Sequence, residues 1–132
     1  MDRIKDTIKS VVARYGSADP FTIAEKLNIE LHWVTLGPMP LGKTIYDEGA
    51  PIVMLNRSIE YSPQRYFVMA HEVGHVILHE GLSGYYTGFY HGYDRLEREA
   101  NQFAIGLMGI LYIEDNGRQP ETIAELSREY VI

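Results

Sequence analysis

The sequence predicts an α+β fold in which a small, mainly antiparallel, three-stranded sheet packs on a bundle of helices. Three observations support this prediction. Apolar residues recur at helical spacing in several segments, β-branched and aromatic residues form three short runs between residues 29 and 55, and residues 64–79 are apolar on almost every side. A helix of this last kind belongs at the centre of a domain. The length of 132 residues favours one domain, which we place at residues 1–132.

The first half of the chain is predicted to hold two helices and three strands. Residues 2–15 form an amphipathic helix that ends at Gly16, and Asp19 caps a short second helix whose first residue is Pro20. The strands are expected at residues 29–36, 44–46 and 52–55. The first strand lies where a helix-turn-helix protein would need its recognition helix, so this segment does not resemble a DNA reader.

The second half of the chain is predicted to be mainly helical. The expected segments are a helix at residues 64–79, a loop at residues 81–93, a helix from near Asp94 to Met108 or beyond, and a last helix opened by Pro120 with Ile123, Leu126 and Tyr130 on one face. The loop contains His91, Tyr85, Tyr86, Tyr90 and Tyr93. One of these side chains could stabilise an oxyanion, or the aromatic rings pack the loop onto the domain.

Composition excludes several classes of function. There are 12 Lys and Arg against 18 Asp and Glu, and the net charge of −6 disfavours direct nucleic-acid binding. The chain has no cysteine, so any metal site must use His, Asp or Glu. No segment approaches the roughly 20 apolar residues of a membrane span, and the amino-terminal residues lack the apolar core of a signal peptide. We therefore expect a cytoplasmic protein.

The strongest sign of chemistry is a His-Glu-x-x-His motif at residues 71–75 of the predicted central helix. His71 and His75 project to the same face of a helix and can bind one metal ion. Glu72, rotated by about 100° from His71, can act as general base for a water molecule, which implies hydrolysis. The alternative is that both histidines are buried polar residues with hydrogen-bond partners. Burying two histidines and a glutamate so close together is costly without a metal.

A third metal ligand is expected on the helix that begins near Asp94. Glu97 falls inside the apolar arc of this helix, whereas Glu99 lies at its far edge, so Glu97 is the predicted ligand. With His71, His75 and Glu97 bound, one position of a tetrahedral zinc ion stays open. The alternative is a capping box formed by Asp94 and Glu97, which would make Glu99 the ligand. Manganese, iron and cobalt also suit this set of ligands.

Three further residues are predicted to support the metal site. Asn101 shares a side of its helix with Glu97 and could hydrogen-bond a ligating histidine. His79 lies about 80° round the helix from His71, so it is expected to contact a ligand or to lie at the surface. Gly74 is expected where a strand or a neighbouring helix approaches closely.

The strand at residues 52–55 could pair with an extended substrate if its edge is open, or it is a buried core strand.

The segments MAHEVGHVILH at residues 69–79 and LEREANQFAIGLM at residues 96–108 resemble the ImmA/IrrE family of zinc metallopeptidases. The first helix, DPFTIAEKLNIEL and PIVMLN also resemble this family. The resemblance implies a zinc endopeptidase with a Glu-x-x-x-Asn/Asp motif, which matches Glu97 and Asn101. It also implies a substrate, because family members from phages and other mobile elements typically cleave or inactivate a helix-turn-helix repressor encoded nearby and so derepress its genes. The net charge of −6 suits a repressor with a basic DNA face.

The sequence thus predicts a zincin-like endopeptidase with one Zn²⁺ per chain, whose cleft lies between the sheet edge and the central helix. Glu72 is the predicted catalytic residue, and His71, His75 and Glu97 are the predicted ligands. The rival hypothesis is a non-catalytic zinc-containing binding module that antagonises a repressor or toxin by contact. A purely structural site has no use for a general base, so Glu72 counts against the rival. A helical core without metal is the third alternative.

Overall fold

The computed structural model describes residues 2–79 and 90–132, and only the backbone of residues 90–94. In this part of the chain, the elements in order are α1 (Arg3–Tyr15), α2 (Pro20–Lys26), β1 (Glu30–Val34), β2 (Gly42–Asp47), β3 (Ala50–Asn56), a 3₁₀ turn (Arg57–Ile59), α3 (Gln64–His79), α4 (Tyr90–Asn116) and α5 (Ile123–Tyr130). The predicted α+β fold class is confirmed. The caps of the first two helices are those expected: Gly16 ends α1, and the Asp19 carboxylate accepts a hydrogen bond from the Phe21 amide.

The three strands form one sheet in the order β1-β3-β2. β2 and β3 form an antiparallel hairpin whose turn residues, Glu48 and Gly49, both have positive φ, as a two-residue type I′ turn requires. β1 pairs with β3 in parallel, with Glu30 opposite Ile52. The sheet is therefore mixed and not mainly antiparallel as predicted. The sequence did not reveal this, because alternating side chains indicate a strand but not the direction of its neighbour.

β3 is the central strand, and both of its edges are paired. Val53 and Leu55 are completely buried, so of the two alternatives for residues 52–55 the buried core strand is correct, and β3 has no open edge for a substrate. Among the described residues, β2 is the edge strand that packs against α3. Exposed and partly buried residues alternate along β2, and Thr44 is one of the partly buried ones.

α3 lies at the centre of the molecule, as its apolar composition predicts. It packs against α2, α4 and α5 and against two strands of the sheet. Val73 of α3 and Phe103 and Leu107 of α4 are completely buried in the core between them. α1 packs against α4 and α2. Within residues 2–79 and 90–132, no helix is long and apolar enough to cross a membrane.

Two helix boundaries differ from the prediction. α4 begins at Tyr90, so residues 90–93 belong to a helix and not to a loop. The proposed roles of His91, Tyr85, Tyr86, Tyr90 and Tyr93 fall on side chains outside the described part of the structure.

The last helix also begins later than predicted. α5 is capped by the Thr122 hydroxyl, which accepts a hydrogen bond from the Glu125 amide, so Pro120 precedes the helix rather than opening it. Leu126 and Tyr130 are buried, whereas Ile123, the first residue of the helix, is 83% exposed.

Candidate metal centre

The two histidines of the motif and Glu97 meet between α3 and α4. The Glu97 carboxylate spans both rings: Oε2 lies 3.0 Å from His71 Nε2, and Oε1 lies 2.8 Å from His75 Nε2. The two Nε2 atoms are 3.2 Å apart. These three residues form a group that could hold a metal ion. The arrangement follows from helix geometry, because residues four apart on α3 face the same stripe of α4.

The close approach of α3 to α4 depends on Gly74. A Cβ atom placed on Gly74 would lie 3.0 Å from Cδ1 and 3.3 Å from Cβ of Phe103. The neighbouring element expected at Gly74 is therefore the helix α4. Without a side chain at this position, the α4 backbone comes near enough for a glutamate to reach both histidines.

Glu97 is not part of a capping box, and Glu99 does not join the ligand cluster. Because α4 begins at Tyr90, Asp94 lies in the second turn of the helix and cannot cap it. The Glu99 carboxylate instead lies 2.8 Å from Nε2 of His79, and its other oxygen is 3.0 Å from Nη2 of Arg3. The structure thus leaves Glu97 as the carboxylate that faces His71 and His75.

Asn101 determines which nitrogen of His71 carries a proton. Its Oδ1 lies 2.8 Å from His71 Nδ1, and because an amide oxygen only accepts, Nδ1 must donate. Nε2, which lies 3.0 Å from the Glu97 carboxylate, is then the nitrogen that would bind a metal ion. A proton on Nδ1 and a metal ion on Nε2 is an arrangement common among metal-binding histidines.

The electrostatics of the metal-free cluster favour a cation. Hydrogen bonds from His71 and His75 hold the pKa of the Glu97 carboxyl far below its usual range, so this group is ionised. Burial opposes a charge on His71, but the hydrogen bond to Glu97 and the nearby carboxylates outweigh it and raise the pKa of His71.

The ligand set fits zinc. Two imidazoles and one carboxylate are a known set for catalytic zinc. Tetrahedral ligands at about 2.1 Å from one ion stand about 3.4 Å apart, close to the separations of 2.8 to 3.2 Å seen between these atoms. Small outward rotations of the three side chains would accommodate a divalent ion.

Glu72 lies on the side of α3 that faces the sheet. It is 5% exposed, and its Oε1 accepts a hydrogen bond of 2.8 Å from the Thr44 hydroxyl on β2. Burial raises the pKa of Glu72, against the opposing influence of His71 and Thr44. A carboxyl group with a raised pKa is better suited to accept a proton than an exposed one.

A cleft of about 580 Å³ joins the ligand cluster and Glu72. One wall comes from residues 39–44, which lead into and form the start of β2, and the other includes Phe67, Val68 and Leu96. The cleft therefore lies between the sheet edge and α3, where the sequence places it. Its walls are mostly apolar and surround a few polar groups, as is common in enzyme clefts.

Two residues near the site were not identified from the sequence. Thr44 reaches Glu72 across 28 positions of the chain, and Arg3 reaches Glu99 across 96. His79 was expected to contact a ligand or to lie at the surface; it is buried, and its Nδ1 lies 3.2 Å from Nδ1 of His75. Alternation along β2 indicates that Thr44 faces inward, but no pattern in the sequence names its partner.

Comparison with known proteins agrees with the geometry. Residues 24–111 match the peptidase M78 model, described as the IrrE N-terminal-like domain. A similar protein is the uncharacterized immunity region protein 2 of Bacillus phage phi105, which is 28% identical over 109 residues, covering 80% of this chain and 67% of the relative. The matched segment contains both histidines of the motif, Glu72, Glu97 and Thr44. Since the model matches well over half of the sequence, the chain belongs to the peptidase M78 family of IrrE N-terminal-like domains.

Proposed function

We propose that this protein is a zinc-dependent endopeptidase. The observation that carries the proposal is the convergence of His71, His75 and Glu97 in the same cleft as the buried Glu72. Membership of a metallopeptidase family supports it. A structural zinc site would not need an open cleft with a carboxylate beside the ligands.

Each residue has a defined part in the proposed hydrolysis. A zinc ion held by His71, His75 and Glu97 would supply Lewis acidity, which lowers the pKa of water and polarises a peptide carbonyl. Glu72 takes a proton from the attacking water molecule and later gives it to the leaving amine. Thr44 holds Oε1 of Glu72, and we assign the proton transfer to the other carboxylate oxygen.

The substrate would bind as an extended segment along β2. In the described part of the chain, β2 is the strand at this edge of the sheet, and its residues 42–44 line the cleft. A peptide added to this edge would place a carbonyl group near Glu72. The apolar wall residues Phe67, Val68 and Leu96 would contact its side chains.

We further propose that the substrate is a helix-turn-helix repressor in the cytoplasm, whose cleavage or inactivation derepresses genes of a mobile element. The relative described as a phage immunity region protein supports this role. The net charge of −6 supports association with a basic DNA-binding face. The protein itself is not proposed to bind nucleic acid or membranes.

The test is a Glu72→Gln variant, examined for zinc content and for relief of repression by a candidate helix-turn-helix repressor encoded near its gene. We expect unchanged zinc content, an intact repressor on immunoblots and no relief. Loss of a general base lowers the rate by about 100-fold to 10,000-fold. Relief that survives in Glu72→Gln with uncut repressor would contradict the proposal and favour a binding module.

A further inference from the structure

A row of four side chains from three helices lies behind the metal centre. His75 and His79 are on α3, Glu99 is on α4 and Arg3 is the first residue of α1. The successive contacts are 3.2 Å between the two Nδ1 atoms of the histidines, 2.8 Å from His79 Nε2 to Glu99 Oε1, and 3.0 Å from Glu99 Oε2 to Arg3 Nη2. The row becomes more exposed outward, from His79 at 3% to the Arg3 side chain at 62%.

The direction of each hydrogen bond follows from the outer end of the row. An ionised carboxylate only accepts, so Arg3 and His79 Nε2 both donate to Glu99. The proton of a neutral His79 is then on Nε2, and its Nδ1 is an acceptor. His75 Nδ1 must therefore be the donor to His79, so Nε2, which faces Glu97, is the nitrogen of His75 that would bind a metal ion.

We propose that His79 and Glu99 are positioning residues that fix the tautomer and ring orientation of His75 for metal binding, with Arg3 holding Glu99 in place. The proposal rests on the metal site of the proposed function. It gives His75 the support that Asn101 gives His71. Both ligating rings would then be set before a metal ion arrives.

The proposal also gives α1 a part in the metal site. Arg3 lies outside the segment 24–111 that matches the family model. Its ion pair is exposed, and such pairs contribute little to stability. Its effect would therefore be on the orientation of Glu99 rather than on folding.

The first test measures zinc affinity by competition with a chromogenic chelator in the full chain. We expect Glu99→Ala to weaken zinc binding by about 10-fold to 100-fold. Glu99→Gln keeps an oxygen that can accept from His79 and should restore most of the affinity. Arg98→Ala, at an exposed neighbouring position, is the matched control and should bind like the wild type. Circular dichroism and thermal unfolding without zinc would verify that every variant is folded.

The second test observes the histidine tautomer directly in the metal-free chain. Long-range ¹H–¹⁵N spectra of histidine-labelled protein should show the proton of His79 on Nε2 in the wild type, and a mixture of tautomers in Glu99→Ala. If the hydrogen bond between His79 and Glu99 only stabilised the fold, zinc affinity would be the same in Glu99→Ala as in the wild type. Unchanged affinity in Glu99→Ala, an equal loss in Glu99→Gln, or a wild-type His79 protonated on Nδ1 would overturn the proposal. Zinc binding without proteolysis would refute the proposed function and leave this inference standing.

Discussion

α3 carries its functional residues on two sides that are built differently. On the side facing α4, His71 and His75 share one carboxylate, and the Glu97 side chain is 34% exposed to the cleft. On the side facing the sheet, Glu72 is 5% exposed and hydrogen-bonded to one residue of β2. The first side depends on how two helices pack, and the second depends on how a strand lies against α3. Metal affinity and turnover should therefore respond to different substitutions.

The largest expected effect comes from forcing the two helices apart. Gly74→Val places methyl groups where Phe103 already lies 3.0 Å from a Cβ atom, so we expect a loss of about 1 to 3 kcal/mol in the free energy of unfolding. Zinc affinity should fall with it because Glu97 moves away from the histidines. Urea unfolding of the metal-free protein measures the change.

The matched control for this variant is a glycine on α4 with free space around it. Gly109 has no heavy atom within 4 Å of an added Cβ, so Gly109→Ala should raise stability by up to about 1 kcal/mol through helix propensity. Equal stability of Gly74→Val and the wild type would contradict the account of the α3–α4 contact.

The next effect concerns only the side of α3 that carries His71 and His75 and faces α4. Asn101→Ala removes the acceptor that fixes the proton of His71 on Nδ1, and we expect zinc affinity to fall by about 10-fold to 100-fold. Turnover at saturating zinc should change much less. Gln102→Ala, at the exposed position that follows, is the control for chelator titrations. A drop in turnover with unchanged zinc affinity would show that Asn101 supports catalysis and not metal binding, and would contradict this prediction.

The smallest effect concerns the side of α3 that carries Glu72 and faces the sheet. Thr44→Val removes the hydrogen bond to Glu72, and because a bond to a charged group contributes about 1.5 kcal/mol, turnover should fall by about tenfold. Zinc content should not change. Thr44→Ser keeps the hydroxyl and should retain most of the activity in steady-state peptide hydrolysis. If Thr44→Val lowered zinc affinity instead, the two sides of α3 would not be independent.

The same contrast explains what could be predicted from the sequence. The spacing of His71 and His75, and the position of Glu97 on the apolar arc of its helix, follow from local periodicity. The predicted fold class rested on the same kind of pattern and is confirmed. Thr44 and Arg3 meet their partners through tertiary packing, which no local pattern encodes. The parallel pairing of β1 with β3 escaped prediction for the same reason.

Two helix boundaries also differ from those that local periodicity predicts. The four glycines and four tyrosines of residues 81–93 have no helical period, yet α4 begins at Tyr90. Weak local propensity is overridden when the rest of a long helix is anchored in the core by residues such as Phe103 and Leu107. This boundary mattered for the chemistry, because it removed the capping-box explanation of Glu97.

The assignment of the metal site is tested by the amount of zinc per chain, measured by elemental analysis after zinc loading and removal of free ion. We expect about one zinc per wild-type chain and per Arg98→Ala chain. We expect loss of that zinc in Glu97→Ala, because two histidines alone hold the ion weakly. A folded wild type without zinc, or Glu97→Ala with full zinc content, would contradict the assignment of His71, His75 and Glu97 as the metal site.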